Sequence, residues 1–455
     1  MSVAQPNRIT PTRRSFSGGI HPPSSKLLTR DQPIEVVPTP KQVRIPLLQH
    51  VGALCEAVVK SRDDVVAGDL VGTSEAPVSA FAHASISGKV TKESAATLPN
   101  GRRVPTVPIK AGGEQLEGQA LLDDTYGGEW PTLRLDLPRP DLILQAVRDA
   151  GLVGMGGAAF PTHIKLALNP DRPIDTLVVN GCECEPYLTA DYRLMVEAPR
   201  PIITGALLAA SAVGARRILI GIEDDKRDAA EALSKAAEST DIEIRVVRTK
   251  YPQGSERQLV PVLIGSVVPA DGLPLDVGVV VVNVATAAAI ARAVLRGKPM
   301  THRIVTVTGR GVAQPKNLLA PLGISYGELI ETAGGLTPDA ARVLAGGPMM
   351  GFTLGDLDTP VTKGTSGITV LTGEDLQQFE ETSCVRCGLC VDACPLNLVP
   401  TRIALAARKG AWNLAERYYI NACMECGCCA YQCPAQIPLV QLIRMGKAHL
   451  AAARV

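Results

Sequence analysis

Aromatic side chains are scarce, at 3% of 455 residues: two Trp, five Phe and eight Tyr. The net charge is only +1. No long basic run interleaves with aromatics, so nucleic acid is not an expected partner. An uninterrupted apolar stretch of membrane-spanning length is also missing. The best candidate, residues 277–295, contains Asn283, Thr286 and Arg292 and divides into a buried strand and a helix. No direct membrane span is therefore expected. TRRSF (12–16) carries the twin arginine of export signals, but the GGIHPPSSK that follows has no apolar core, so export is not expected either. Without a secretory signal, the twelve cysteines point to thiolate ligation in a reducing compartment rather than to disulfides.

Hydrophobic residues make up 46% of the chain and charged residues 20%, with 42 glycines and 35 prolines. That composition is globular, and the length suggests roughly three or four domains.

Eight of the cysteines fall in two runs of one spacing, CVRCGLCVDACP (384–395) and CMECGCCAYQCP (423–434). This is the bacterial ferredoxin arrangement, in which three cysteines wrap one cubane and the fourth crosses to the other. The spacing assigns Cys384, Cys387, Cys390 and Cys433 to one [4Fe–4S] cluster, and Cys423, Cys426, Cys429 and Cys394 to a second. Zinc ribbons need no third evenly spaced cysteine followed by Cys-Pro, repeated twice. Cys428 breaks the spacing and is expected to be no ligand.

The chain ahead of these runs is organised in three parts. AVVKSRDDVVAGDLVG (57–72) and HASISGKV (83–90) alternate short strands with Asp/Gly turns, like the barrel-sandwich fold of lipoyl- and biotinyl-carrier domains. Lys89 follows Ser87-Gly88 and lacks the flanks of a carrier lysine, so a structural role is expected. From Asp141 helices and buried strands alternate, the pattern of a parallel sheet with covering helices. Short strands return after Arg303. The expected fold is multidomain α/β: a β-rich barrel-sandwich domain over 1–135, a Rossmann-like α/β flavin domain over 136–300, a β-grasp-like segment over 301–372, and an α-helical di-cluster ferredoxin domain over 373–455.

Three loops of the middle region carry the remaining chemistry. GLVGMGGAAFPTHIKL (151–166) contains Gly154-x-Gly156-x-x-Ala159, formally a dinucleotide fingerprint, but it follows a helix rather than a strand. Its glycines and Lys165 suit an anion, and simple tight packing suits it equally. VVNGCECEPYLTADYRLM (178–195) ends a buried strand at Asn180 and continues through Glu183 and Glu185. KYPQGSERQLV (250–260) places Tyr251, Gly254 and Glu256 before a helix.

In this order the three loops resemble the FMN- and NADH-binding domain of the flavoprotein subunit of respiratory complex I. The resemblance maps onto Gly154, Gly156, Gly157 and Lys165; Asn180, Glu183 and Glu185; Tyr251, Gly254 and Glu256; and Asn283 with Thr286. It implies that the glycines and Lys165 hold the FMN phosphate. It further implies that Glu183, Glu185 and Glu256 orient the ring and nicotinamide. Cys182, Ser255, Val282 and Ala285 depart from that pattern, so FMN binding carries over better than the NADH contacts. Cys182 and Cys184 read as small loop residues beside the flavin.

FSGGIHPPSSK (16–26), RIPLLQHVGA (44–53) and GGPMMG (346–351) extend the resemblance, nearly end to end, to the RnfC family of the Rnf electron-transport complex. That resemblance implies an NAD(H)-reactive electron-transfer subunit with FMN and two [4Fe–4S] clusters. Its complex would use ferredoxin as electron partner. The subunit would lie peripherally at the cytoplasmic face of the bacterial inner membrane, attached to membrane and peripheral Rnf subunits that move the ion. Two other readings fit part of the pattern: a cobalamin reductase-like flavin/iron–sulfur enzyme, and an iron–sulfur wire that has lost its nucleotide site.

Overall fold

Runs of β-branched residues that have no polar alternation make the central strands, because a parallel sheet covered on both faces buries every side chain. In the computed structural model, which describes residues 9–132, 137–167, 171–270, 272–376 and 380–453, these strands are Thr176–Asn180, Arg217–Glu223, Glu243–Val247 and Val279–Asn283. All pair in parallel, and their spatial order is third, second, first, fourth. The order therefore reverses between Thr176–Asn180 and Val279–Asn283, whose last residues, Asn180 and Asn283, stand in register. Such a reversal leaves a crevice beyond the carboxyl ends of the strands, where α/β sheets bind ligands. Helices Pro199–Val213 and Val284–Arg296 bury apolar faces in the core beside this sheet.

The barrel-sandwich region consists of two small antiparallel sheets. Strands Gln42–Pro46, Arg103–Ala111, Gly88–Val90 and Asp64–Val65 form one, with Ser94–Thr97 added on Arg103–Ala111. Glu56–Ala57, Leu70–Thr73 and Ala82–His83 form the other. Val43, Ile45, Val71, Ala84, Val107 and Ile109 fill the space between them. Lys89 lies within the strand Gly88–Val90, beside Asp64 at 3.3 Å.

The barrel sandwich begins only at Gln42, which departs from the expected unit 1–135. Thr10–Pro11 instead extend the central sheet beside Glu243–Val247, and Ile34–Val36 pair with Lys316–Pro321. Strands of two and three residues are too short for alternation to mark them in a sequence. The expected boundary at 135–136 falls outside the described residues.

The third region is a six-stranded mixed sheet in the order Phe352–Thr353, Ala340–Ala345, Gly367–Thr372, His302–Thr308, Lys316–Pro321, Ile34–Val36. Its helix Tyr326–Thr332 starts at a capping box of Ser325 and Glu328. This region shares one continuous hydrophobic core with the central sheet. The C-terminal region is helical, with Pro400–Arg408, Trp412–Arg417 and Leu439–Ala452 packed around Ile403, Ala404, Ala415, Ile420 and Ile443. Among the described residues no helix is long and apolar enough to cross a membrane.

Candidate functional site

The glycine loop is anchored at both ends and open in the middle. Gly154 donates its amide to Phe160 at 2.8 Å, and Met155 donates to the Thr286 hydroxyl at 2.9 Å. Gly156, Gly157 and Ala158 are exposed, and among the described residues nothing accepts from their amides. A Cβ added at Gly156 would meet Asn283 at 3.4 Å, and one added at Gly157 would meet open space. The loop thus turns free N–H groups outward over the strand end at Asn283, a fit for an oxyanion such as the FMN phosphate.

Asn283 also caps the helix Val284–Arg296, accepting from Ala285 at 2.9 Å and Thr286 at 3.3 Å. Its amide group donates to Asp191 at 2.5 Å. Asn180 ties two loops together: its amide donates to the Gly254 carbonyl at 2.7 Å, and its side-chain oxygen accepts from Cys182 at 3.1 Å. Lys165 forms an ion pair with Glu256, both partly exposed. The structure therefore brings Gly154, Gly156, Gly157, Asn283 and Thr286 together, and it sets Lys165 against Glu256.

The expected free roles of Glu183 and Glu185 are changed by their surroundings. The Glu183 carboxylate accepts from Asp191 at 2.7 Å and Tyr192 at 3.1 Å, among the first amides of the helix Ala190–Glu197. Glu185 accepts from Met349 at 2.8 Å and Met350 at 3.2 Å, in the turn of GGPMMG. Burial raises the Glu185 pKa, and those two amides oppose the rise. A carboxylate carried into a crowded strand end takes the nearest orphan amides, because leaving them unpaired costs more than solvent exposure returns. Both carboxylates hold structure together.

Tyr251 is buried and reaches away from the glycine loop. Its hydroxyl donates to the Cys426 carbonyl at 2.7 Å. Ser255 touches the Met424 sulfur at 3.3 Å, and Gln258 donates to the Pro395 carbonyl at 3.1 Å. The third loop is thus the contact between the α/β region and the cysteine region. Cys184 accepts from the Gly254 amide at 3.3 Å, and Cys182 packs under the same loop.

One cavity is lined by Cys394, Cys423, Cys426 and Cys429 together, with apolar walls from Leu396, Leu398, Ile403, Val440 and Ile443. Burial raises the thiols of Cys394, Cys423 and Cys429, and each feels other members of the set. Burial also raises Cys390, on which Cys387 and Cys433 act. Amides of Leu398 and Glu425 donate to the sulfurs of Cys394 and Cys423 at 3.3 and 3.4 Å. The two runs share a backbone: Arg386 and Glu425 have φ of 58° and 60°, and Gly388 and Gly427 have 84° and 85°. Four thiols around one apolar cavity, with amides on sulfur, fit a cubane. Among the described residues no three His, Cys, Asp or Glu side chains converge closely enough for a single ion. Cys428 also borders the cavity, but its thiol is fully buried and directed to the Tyr251 carbonyl at 4.0 Å, in a cluster with Ile20 and Ala393.

Two further residues shape the site. Lys26 is buried and donates its ammonium to the carbonyls of Glu183 at 2.9 Å and Glu185 at 3.0 Å, and to that of Leu188. Burial lowers its pKa, with Glu183 opposing. Burial pushes Asp191 up to about 7, and Glu183 adds to the rise. Neither stands out in the sequence: Lys26 ends a proline-rich stretch remote from the loops, and Asp191 sits among ordinary helix-start residues.

Comparison with known proteins adds four family matches. Residues 14–114 match the RnfC barrel sandwich hybrid domain, 147–292 the Nuo51 FMN-binding domain, 304–353 the SLBB domain and 380–437 the 4Fe-4S dicluster domain. The chain is 43% identical over 443 residues to the RnfC-type component of the proton-translocating ferredoxin:NAD(+) oxidoreductase complex of Clostridium ljungdahlii, covering 97% of this chain and 95% of that one. It is 42% identical over 441 residues to the corresponding component of the Na(+)-translocating complex of Acetobacterium woodii, covering 97% and 98%. The corresponding component of the ion-translocating oxidoreductase complex of Rhodobacter capsulatus is 42% identical over 441 residues, covering 96% and 83%. A crystal structure of NAD+-reducing [NiFe]-hydrogenase in the H2-reduced state is similar at a TM-score of 0.49 and 23% identity, covering 71% of this chain and 67% of that one.

Proposed function

We propose, because this chain belongs to the RnfC family of ion-translocating ferredoxin:NAD(+) oxidoreductase (Rnf) complexes, that it is the NAD(H)-reactive electron-transfer subunit of such a complex. It carries electrons between NAD(H), FMN and two [4Fe–4S] clusters, within ferredoxin:NAD oxidoreduction. Ion translocation belongs to membrane subunits, against which this chain docks at the cytoplasmic face of the bacterial inner membrane. The domain scheme of barrel sandwich, Rossmann-like flavin domain, β-grasp-like segment and helical di-cluster domain goes with this reading.

The observation that carries it is the Tyr251–Cys426 hydrogen bond of 2.7 Å, which joins a loop of the candidate flavin site to a candidate cluster loop. FMN bound at the glycine loop supplies the conversion between two-electron hydride exchange and one-electron exchange with the clusters. The chain's own residues bind and orient. Free amides of Gly156 and Gly157, with Gly154 shaping the turn, receive the phosphate, and Lys165 turns from Glu256 toward it. Asn283 and Thr286 fix the loop over the strand end, and Asn180 and Gly254 hold the neighbouring wall. Glu256 is the acidic group left facing the crevice. Glu183 and Glu185 position the walls instead of touching nicotinamide. Cys384, Cys387, Cys390 and Cys433 ligate one cluster; Cys423, Cys426, Cys429 and Cys394 ligate the other.

The test is direct. The full chain, purified anaerobically, is expected to release FMN on extraction, to hold about eight irons and to reduce ferricyanide with NADH. Protein with full iron and no flavin would sink the NAD(H)-reactive reading and leave an iron–sulfur wire.

A further inference from the structure

The stretch FSGGIHPPSSK is used by none of the roles above, yet it touches the second and third loops and the cysteine region. At its start, the Lys250 ammonium lies 4.5 Å from the Phe16 ring centroid and donates to the Phe16 carbonyl at 2.9 Å. Gly18 then passes against the backbone of Cys394, so closely that an added Cβ would stand 2.6 Å from its carbonyl oxygen. With φ of +68°, that position also disfavours a side chain on conformational grounds. Gly19 donates to the Ala393 carbonyl at 2.9 Å, and Ile20 exchanges two backbone hydrogen bonds of 2.9 Å with Tyr251. Further on, the Ser24 carbonyl accepts from Tyr187 at 2.8 Å, and Lys26 pins the carbonyls of Glu183, Glu185 and Leu188.

We propose that residues 16–26 form a positioning strap that sets the spacing between the candidate flavin loops and the second cluster. Its middle is wedged between Tyr251 and the Ala393–Cys394 backbone, and its end holds the Glu183–Leu188 turn. Cys394 is the one ligand of the second cluster that the other cysteine run supplies, so the strap bears on that cluster where it is least held by its own run. A flavin and a cluster on separate regions keep their distance only if something common to both fixes it. A segment hydrogen-bonded to both does so. The inference rests on the reading of these loops and cysteines as flavin and cluster sites.

The experiment uses the full chain, loaded with FMN and iron. In Gly18→Ala, stopped-flow is expected to show flavin reduction by NADH at the wild-type rate and cluster bleaching slowed about tenfold, the scale of an ångström-sized misplacement. The EPR spectrum of the second cluster after dithionite reduction is expected to change, with iron and flavin contents kept. A variant with wild-type cluster bleaching and an unchanged spectrum would overturn the proposal. Should Gly18→Ala fail to fold, Ile20→Ala decides, because it removes volume between Tyr251, Ala393 and Cys426 instead of adding it. It is expected to slow the cluster step and alter the same spectrum, and wild-type behaviour in both would overturn the strap. Lys26→Met is expected to lose flavin retention with the cluster spectrum intact; full retention would overturn the strap's hold on the flavin side. If wild-type protein takes up no flavin, the functional reading fails, while the dithionite spectra still decide the strap.

Discussion

Glu183 accepts the backbone amide of Asp191 at 2.7 Å, and that one bond joins the acidic loop to the first turn of the helix Ala190–Glu197. The Asp191 carboxyl in turn accepts from Asn283 at the end of the neighbouring strand. A carboxylate that sequence alone aims at a ligand is therefore the cap on which the site's geometry hangs.

Glu183→Gln presents one oxygen and one donor group to two amide donors. It is expected to cost about 1–2 kcal/mol of local stability, the scale of a lost helix cap. Hydrogen exchange at the Asp191 and Tyr192 amides measures this directly. Turnover should fall with iron content intact. Unchanged exchange would mean that water or another group caps the helix.

Asp191 has an ordinary pKa of 3.8 and is raised to about 7 by burial and by Glu183. Between those values the folded state keeps a proton that the unfolded state has lost. Its contribution to stability is complete below about 3.8 and disappears as pH rises through 7. Denaturant titrations of wild type against Asp191→Asn are expected to show wild type losing ground from pH 5.5 to 8, roughly the window of that shift. Parallel curves would refute the raised carboxyl. Glu183→Gln should move the midpoint down.

Lys165→Met is expected to weaken FMN binding about ten- to a hundredfold, since a charged hydrogen bond is worth about 1.5–3 kcal/mol. Fluorescence titration of deflavinated protein reads the change. Glu256 competes for the same ammonium, so Glu256→Gln should tighten FMN or leave it unchanged. Weaker binding would show that Glu256 itself touches the flavin.

Cys428→Ser is expected to keep about eight irons, because the Cys428 thiol packs beneath Tyr251 while Cys394, Cys423, Cys426 and Cys429 supply the four ligands. Cys394→Ser should remove one cluster signal from the EPR spectrum and leave the other. Loss of both signals on either change would contradict the crossed ligand sets.

Covalent spacing is local, and a local pattern survives in the order of residues. The two CxxCxxCxxxCP runs show their cluster chemistry that way, as the buried strand runs around Val178 and Val281 show the parallel sheet. The glycine loop, Asn180 and Asn283 are readable for the same reason: each needs a particular residue type at one chain position. Partner choice at long range leaves no such mark. Glu183 and Glu185 look alike in the chain, yet one caps the helix that follows and the other fastens a distant turn at Met349. Tyr251 reads as a ligand residue until the fold carries the Cys426 carbonyl to it. Lys26 and Gly18 carry no chemistry in sequence, because a buried ammonium and a close backbone approach take their meaning only from what the fold packs against them. Hydrogen-bond capacity belongs to the residue; which donor meets which acceptor is set by the packing of distant segments.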